Sequence, residues 1–553
     1  MTLKKLSALA AALCATALPA QQAADAVRRG EQLPEAVCAP PAAPGAAADR
    51  QPPPLLLSGL GFAGMEPDSA NKEAVAWFKQ GVRLIWAFDE VEAVRAFQMA
   101  QALDPQCALC FWGEAWARGP TINLRPRTPE LEAARKAAAR AAELGGKLDG
   151  RDRLLVDAMV LRTRDAKAFA NALYAAKLET AALRLPQDDL VNVLAADARM
   201  VADPPKAFKP GSLTQRLLER VLKRTPEHGG AIHYYIHLTD WIDRSHLAIP
   251  YAEQLGRIAP AASHLVHMPS HSFYGVGRYK DAAAVNVAAV AADEAFVRRM
   301  QPSKSDYRTG LLRHNMHFAI NSALMRGDGR TAQVVSDQYR TAFGDKTDGA
   351  TKLLGSATLF TAGLYDDVPK VLALPEDKNV LGNALRHYAR GEAMARSGDA
   401  EGVRREAKAI SNILESNQSV ALGSKTAQAL VRVTQHVLDG RAAMLGGKHD
   451  AAADAYFKGL QQQLAANFSF DPPLFWYPVR RSYAASLIAA GEHGRAREHL
   501  YAVLQRWPND PLALYALSLA DRGLGDADAA DRNFARAQSV WAGDLRKIAL
   551  WQI

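Results

Sequence analysis

Alternating β-branched runs are nearly missing from this chain of 553 residues, which excludes a sheet protein. Ala and Leu dominate the periodic windows instead, and the fold class that follows is all-α. Beyond the N-terminus no uninterrupted apolar stretch is long enough to cross a bilayer, so no transmembrane segment is expected in the mature chain. The formal charge of +9 becomes +7 once Lys4 and Lys5 are set aside. Over such a length this is mild, and with no dense Lys/Arg block it gives no reason to expect a nucleic-acid partner. No glycine-rich signature of a nucleotide cofactor stands out.

Residues 1–20 have the parts of a secretory signal: Lys4 and Lys5, an apolar run from Leu6 to Leu18, and small residues ending at Ala20. The apolar run is too short to span, so cleavage is expected. Cys14 follows Leu13, a large residue where lipid attachment needs a small one, which favours a soluble exported protein, periplasmic or secreted. Residues 21–70 are rich in Ala, Pro and Gln and read as a tether. Cys38, Cys107 and Cys110 remain after cleavage, an odd number that allows one disulfide and one free or intermolecular thiol.

From Ala74 onward, Gly81, Ala93, Phe97, Ala100 and Pro105 fall where a tetratricopeptide repeat places small, aromatic and stop residues. Ala496, Leu500 and Val503 recur as Ala530, Phe534 and Ala537, 34 residues on. Gly277-Arg278-Tyr279, Gly398-Asp399-Ala400 and Gly446-Gly447-Lys448 each precede an Ala-rich amphipathic run, as turns between paired helices do. The expectation is an α-solenoid over 71–553: a right-handed superhelix of helix pairs whose first helices line a concave surface.

Nine of the fourteen histidines lie between His228 and His317, where even scatter puts roughly two. His233 and His237 are four apart, His264 and His267 three, His267 and His271 four, His314 and His317 three, so each group shares a helix face. Punctuation at Pro250, Pro260, Gly277 and Gly310 assigns 231–242, 262–275 and 311–326 to first helices of successive pairs, within histidine-rich repeats spanning 228–326. On that phase, up to seven imidazoles converge in the groove. Neutral imidazole suits Cu or Zn, and Met268 offers a soft ligand for Cu(I). Tyr234 stands where a zinc-protease helix has its glutamate, which excludes that class. Against this stands packing: a single helical histidine is commonly a core residue, and that reading is preferred for His228 and His246.

The other candidates are weaker. Cys107-Ala108-Leu109-Cys110 has a redox or metal gap without a thioredoxin context, so a structural disulfide or packing is the better reading. Trp112, Glu114, Trp116 and Asn123 form a candidate aromatic wall for an organic ligand or peptide. Arg480, in the aromatic stretch Phe470 to Arg481, offers a contact for an acidic group, with a packed corner as the preferred alternative.

The ordered set His233-Tyr234-Tyr235-Ile236-His237, His264-Leu265-Val266-His267-Met268-Pro269-Ser270-His271, Gly277 through Asn286, His314-Asn315-Met316-His317-Phe318 and Trp476-Tyr477-Pro478-Val479-Arg480, with Phe111-Trp112-Gly113-Glu114 and Gly119 through Asn123, resembles a family of large secreted bacterial tetratricopeptide-repeat proteins. The resemblance spreads over most of 70–525. It implies an exported repeat fold and no particular substrate. Asp240 stands where that family carries Glu, and Ser272-Phe273 where it carries Ile-Tyr; neither change touches the histidines.

Two functions follow. One is an exported metalloprotein with Cu or Zn on His233, His237, His264, His267, His271, His314 and His317, either a metal-binding scaffold or a metal-dependent oxidoreductase or hydrolase. There Tyr234 and Asp240 are candidates for proton transfer. The other is a non-catalytic envelope scaffold that takes a protein or peptide in its groove.

Overall fold

The computed structural model describes residues 52–125, 128–302, 306–346, 348–466 and 471–553. The expected signal sequence with Cys14, the expected tether up to residue 51 with Cys38, and Phe470 lie outside the described residues. Helices fill the rest in succession, with no strand among the described residues. Most helices pack on the next and, in several places, on the one after that. This is a tetratricopeptide-like stack of helix pairs.

The first pair, Lys72–Trp86 and Glu90–Leu103, shows why the small residues sit where they do. Phe97 is fully buried between Gly81 and Gly113, and a Cβ on either glycine comes within 2.7 and 2.3 Å of its ring. Asn71 caps the first helix by accepting from the backbone N–H groups of Glu73 and Ala74. Cys107 and Cys110 form a disulfide at the start of the next helix, Ala108–Ala117.

Four central helices carry the histidines: Gly229–Trp241, Ser263–His267, Pro269–Gly275 and Asp306–Met325. The last begins before Gly310, which was expected to precede it; one glycine inside a twenty-residue helix costs only about 1 kcal/mol and does not stop it. The partner helices are Ile249–Ile258 and Tyr279–Met300.

Two features depart from the sequence reading. Residues 52–70, expected as the end of a tether, lie along the helical body: Leu60, Ala63 and Met65 are buried, and the Trp86 indole donates to the Ala63 carbonyl. Apolar side chains on this extended strap give it a seat. The expected concave groove, in turn, is filled where the histidines lie. Arg506 pairs with Asp243, Asn509 donates to the Val276 carbonyl, Asn321 donates to the Pro473 carbonyl and Ala542 to that of Arg326. The C-terminal repeats thus close over the central ones and take the histidines out of water.

Gly230 permits the closest approach at the site, because a Cβ there meets the Trp86 ring at 2.6 Å. Gly230→Ala is therefore expected to lower stability by about 1–3 kcal/mol, more than the helix propensity it gains. Gly494→Ala, where a Cβ meets nothing within 4 Å, serves as the control and leaves the urea midpoint level or higher. Equal midpoint shifts in the two variants contradict the packing account.

Candidate metal centre

The helix Gly229–Trp241 starts on His228, whose ring Nδ1 accepts from the Ala231 N–H. His228 is thus a cap buried in the core, as its packing reading requires. His246 is not: it sits exposed in the turn Ser245–Ala248, after the helix has ended. One turn apart on the same helix, His233 and His237 bring their Nε2 atoms to 3.2 Å, and His264 Nε2 reaches His233 Nε2 at 3.2 Å. His267, His271 and His314 form a second trio, with 3.0 Å between the Nε2 atoms of His267 and His271. In each trio the potential ligand atoms all lie within 4.8 Å of one another.

The trios are neighbours. Ring centroids of His264 and His267 are 5.7 Å apart, and those of His237 and His271 are 5.6 Å apart. Six of the seven expected imidazoles therefore meet. The seventh, His317, is spoken for: its Nδ1 faces the Leu354 carbonyl at 3.0 Å and Asn321 donates to its Nε2. Met268 is part of the apolar core.

Hydrogen bonding fixes which nitrogen of three rings carries the proton. A backbone carbonyl only accepts, so His233 Nδ1, 2.7 Å from the Trp86 oxygen, is N–H and donates. Asn286 spends its amide N–H on the Ala282 carbonyl and turns its oxygen to His267 Nδ1 at 2.7 Å. His271 Nδ1 donates to the Asp471 carboxylate at 2.6 Å. In their neutral form all three rings then aim a bare Nε2 lone pair inward, the arrangement by which outer contacts orient metal-binding histidines.

That leaves a deficit of positive charge or protons. The Nε2 atoms of His267 and His271 present two lone pairs to each other at 3.0 Å, which is repulsive unless a proton or a cation lies between them. In the first trio two rings approach the single lone pair of His233. His264 Nδ1 and His314 Nε2 are buried without a hydrogen-bond partner among the described residues. Leaving such an atom unpaired costs about 1–3 kcal/mol. An imidazole–metal bond of about 2.0–2.1 Å with ligand angles near 90–110° requires nitrogens about 2.8–3.4 Å apart. The three short Nε2 separations fall inside that window.

Electrostatics keep most of the rings neutral. Burial pushes His233 down to about 3, although the Trp86 carbonyl opposes it. Burial followed by neighbouring rings holds His237, His264 and His314 well below the usual imidazole value, and His267 is lowered in the same way despite Asn286. His271 differs: burial lowers it, but the charges of Asp471 and Asp240 and the Asp471 hydrogen bond outweigh that and raise it.

Asp240 joins His271 and Asp471 in a third group of close ligand atoms. Burial, then the charge of Asp471, pushes its carboxyl up to about 7. Tyr234 stacks on His233 at 5.5 Å, but its buried hydroxyl is held by the Asp197 carboxylate. Trp112 and Trp116, expected as a groove wall, are core residues packed on each other, with Trp116 also against Trp86. Asn123 is buried too, and Arg480 faces His499 at 3.3 Å. Asp471 and the Trp86 carbonyl gave no sequence signal, being 200 and 147 positions from the rings they hold.

Asp197 yields a pH test. Burial lifts its carboxyl to about 6, above its usual 3.8, so the stability it contributes is full below about pH 4 and is lost as pH rises through about 6. The stability difference between Asp197→Asn and wild type shifts toward the variant across that range, by on the order of 3 kcal/mol. Denaturant titrations at pH 4, 5, 6 and 7 measure it, and a difference independent of pH contradicts it.

No protein-family model and no curated relative matches the chain. Among solved structures it is similar to an IFIT1 monomeric mutant with Gppp-AAAA, at 12% identity and TM-score 0.31 over 78% of this chain and 90% of that one. It is also similar to the human IFIT1 dimer with m7Gppp-AAAA, at 12% identity and TM-score 0.29 over 86% and 92%. A third similar structure is Naa15/Naa10 bound to HypK-THB, at 14% identity and TM-score 0.22 over 85% and 89%. Scores this low carry no argument about partners, and the charge-based expectation of no nucleic-acid partner gains no support from them.

Proposed function

We propose that this chain is an exported metalloprotein whose helical repeats hold two metal ions, copper or zinc, one on His233, His237 and His264 and one on His267, His271 and His314. The observation that carries the reading is the set of Nε2 atoms 3.0–3.2 Å apart, three of them on rings, His233, His267 and His271, whose Nδ1 atoms are engaged elsewhere. Neutral imidazole in threes suits both metals. Three protein ligands with a further position open is the pattern of a catalytic rather than a structural site, which favours a metal-dependent oxidoreductase or hydrolase. Bound there, the metal would supply Lewis acidity, and copper would add redox chemistry. Asp471, 31% exposed, holds His271 in place and connects it to the surface. Export is proposed from Lys4, Lys5 and the apolar run after them. A scaffold without metal leaves the histidines unexplained, because at 0–6% exposure they do not reach a docked partner.

Protein purified without a polyhistidine tag, reconstituted and dialysed, is expected to retain about two equivalents of copper or zinc. The His237→Ala/His264→Ala and His271→Ala/His314→Ala variants each retain about one. Negligible metal in all three proteins contradicts the proposal. Asp471→Asn, which replaces the acceptor that orients His271, is expected to weaken metal binding by about 10–100-fold without reducing stoichiometry at saturation; competition with a chelator of known affinity measures this, and unchanged affinity removes Asp471 from the site.

A further inference from the structure

One cavity reaches the first trio. His264 forms part of its wall, with Leu60, Leu84, Leu311, Asp293 and Arg308 around it. Its interior space is about 30 Å³, and holding one water takes about 10–15 Å³. The size suits a molecule of two or three atoms and excludes an organic substrate.

The walls indicate what passes. Leu60, Leu84 and Leu311 are apolar and buried. The charged side chains are engaged with one another: Arg308 pairs with Asp89 at 2.6 Å and Asp293 at 3.5 Å, and its guanidinium lies 4.1 Å from the centre of the Phe296 ring. Two carboxylates around one guanidinium give no excess positive charge to attract an anion, so these walls favour a neutral molecule over an anion.

Leu60 stands apart from the other wall residues because it belongs to the strap. Gly59 and Gly61 on either side of it have φ near +80° and +85°, a region that favours glycine, and the Ala261 N–H donates to the Gly59 carbonyl at 2.9 Å. The chain thus bends in and out to set one leucine, 4% exposed, against the cavity, while Leu55, Leu56 and Phe62 nearby remain exposed.

Building on the metal reading above, we infer that this cavity is the route by which a neutral, dioxygen-sized ligand reaches the ion on His233, His237 and His264, and that Leu60 is its gate. The class of ligand is a small oxygen donor, dioxygen or water. The strap's role is then access control at the first trio, in addition to covering the core.

Carbon monoxide, a neutral diatomic that binds Cu(I), is the probe. The copper-loaded full chain is reduced under argon, carbon monoxide is added, and rebinding after flash photolysis is followed by its infrared stretch. Leu60→Ala is expected to speed rebinding about tenfold and Leu60→Trp to slow it about tenfold, with copper content and circular dichroism at wild-type values. Leu311→Trp, which narrows the cavity from a helix, slows rebinding as well and keeps the test valid if a strap variant is poorly folded. Wild-type copper content with unchanged rebinding in all three variants overturns the route and leaves the metal site standing. Negligible copper in wild type overturns the route as stated for a copper ion, and negligible copper and zinc together overturn both readings.

Discussion

Three hydrogen bonds, from His233 Nδ1 to the Trp86 carbonyl, from His267 Nδ1 to Asn286 and from His271 Nδ1 to Asp471, decide what the centre of this molecule is. Each one places a proton on the outer nitrogen and leaves the inner nitrogen bare. Without them the rings could pair as donors and acceptors and form an ordinary polar core. With them, the His267 and His271 lone pairs face each other and two rings meet the one lone pair of His233 in a space that excludes water, which is unfavourable until a cation or extra protons enter. Burial opposes extra protons at His233, His237, His264, His267 and His314, and only His271 is raised.

The rest of the structure serves that arrangement. The acceptors come from the first repeat, the central repeats and the aromatic segment near residue 471, so the site exists only when the stack has closed. Closure is secured by contacts far apart in sequence, among them Arg506 with Asp243 and Asn509 with the Val276 carbonyl. It is also secured by packing that tolerates no added atom, as at Gly230 against Trp86. A fully buried ion pair, Arg481 with Asp510, anchors the C-terminal end, where Arg481 also reaches the Ile553 carbonyl. Breaking such a pair on one side typically costs about 3–5 kcal/mol.

Much of this was legible in the sequence because helical repeats are local. The spacing of Gly81, Phe97 and Pro105 encodes a contact between adjacent helices, and the three- and four-residue histidine spacings encode shared faces. Gly277 and the prolines at 250 and 260 placed the central helices nearly where they lie. What needed coordinates was long-range. A seven-ring cluster became two trios because Leu354 and Asn321 claim His317, and no spacing rule connects those residues. The aromatic wall failed for the same reason: Trp112 and Trp116 have the spacing of a helix face, but whether that face meets solvent or Trp86 depends on a helix more than twenty residues away. Asp471 carried no signal, since its partner lies in another repeat. The strap was misread because composition alone does not separate a free tether from an extended segment seated by Leu60, Ala63 and Met65.

The central claim is positional, and diffraction above the absorption edge of the bound metal tests it most directly. Crystals of the metal-loaded, untagged chain should show two anomalous peaks, each about 2 Å from three ring nitrogens, one inside His233, His237 and His264 and the other inside His267, His271 and His314. Occupied crystals with peaks only at surface residues, or fully reconstituted protein with no peak at either trio, would contradict it.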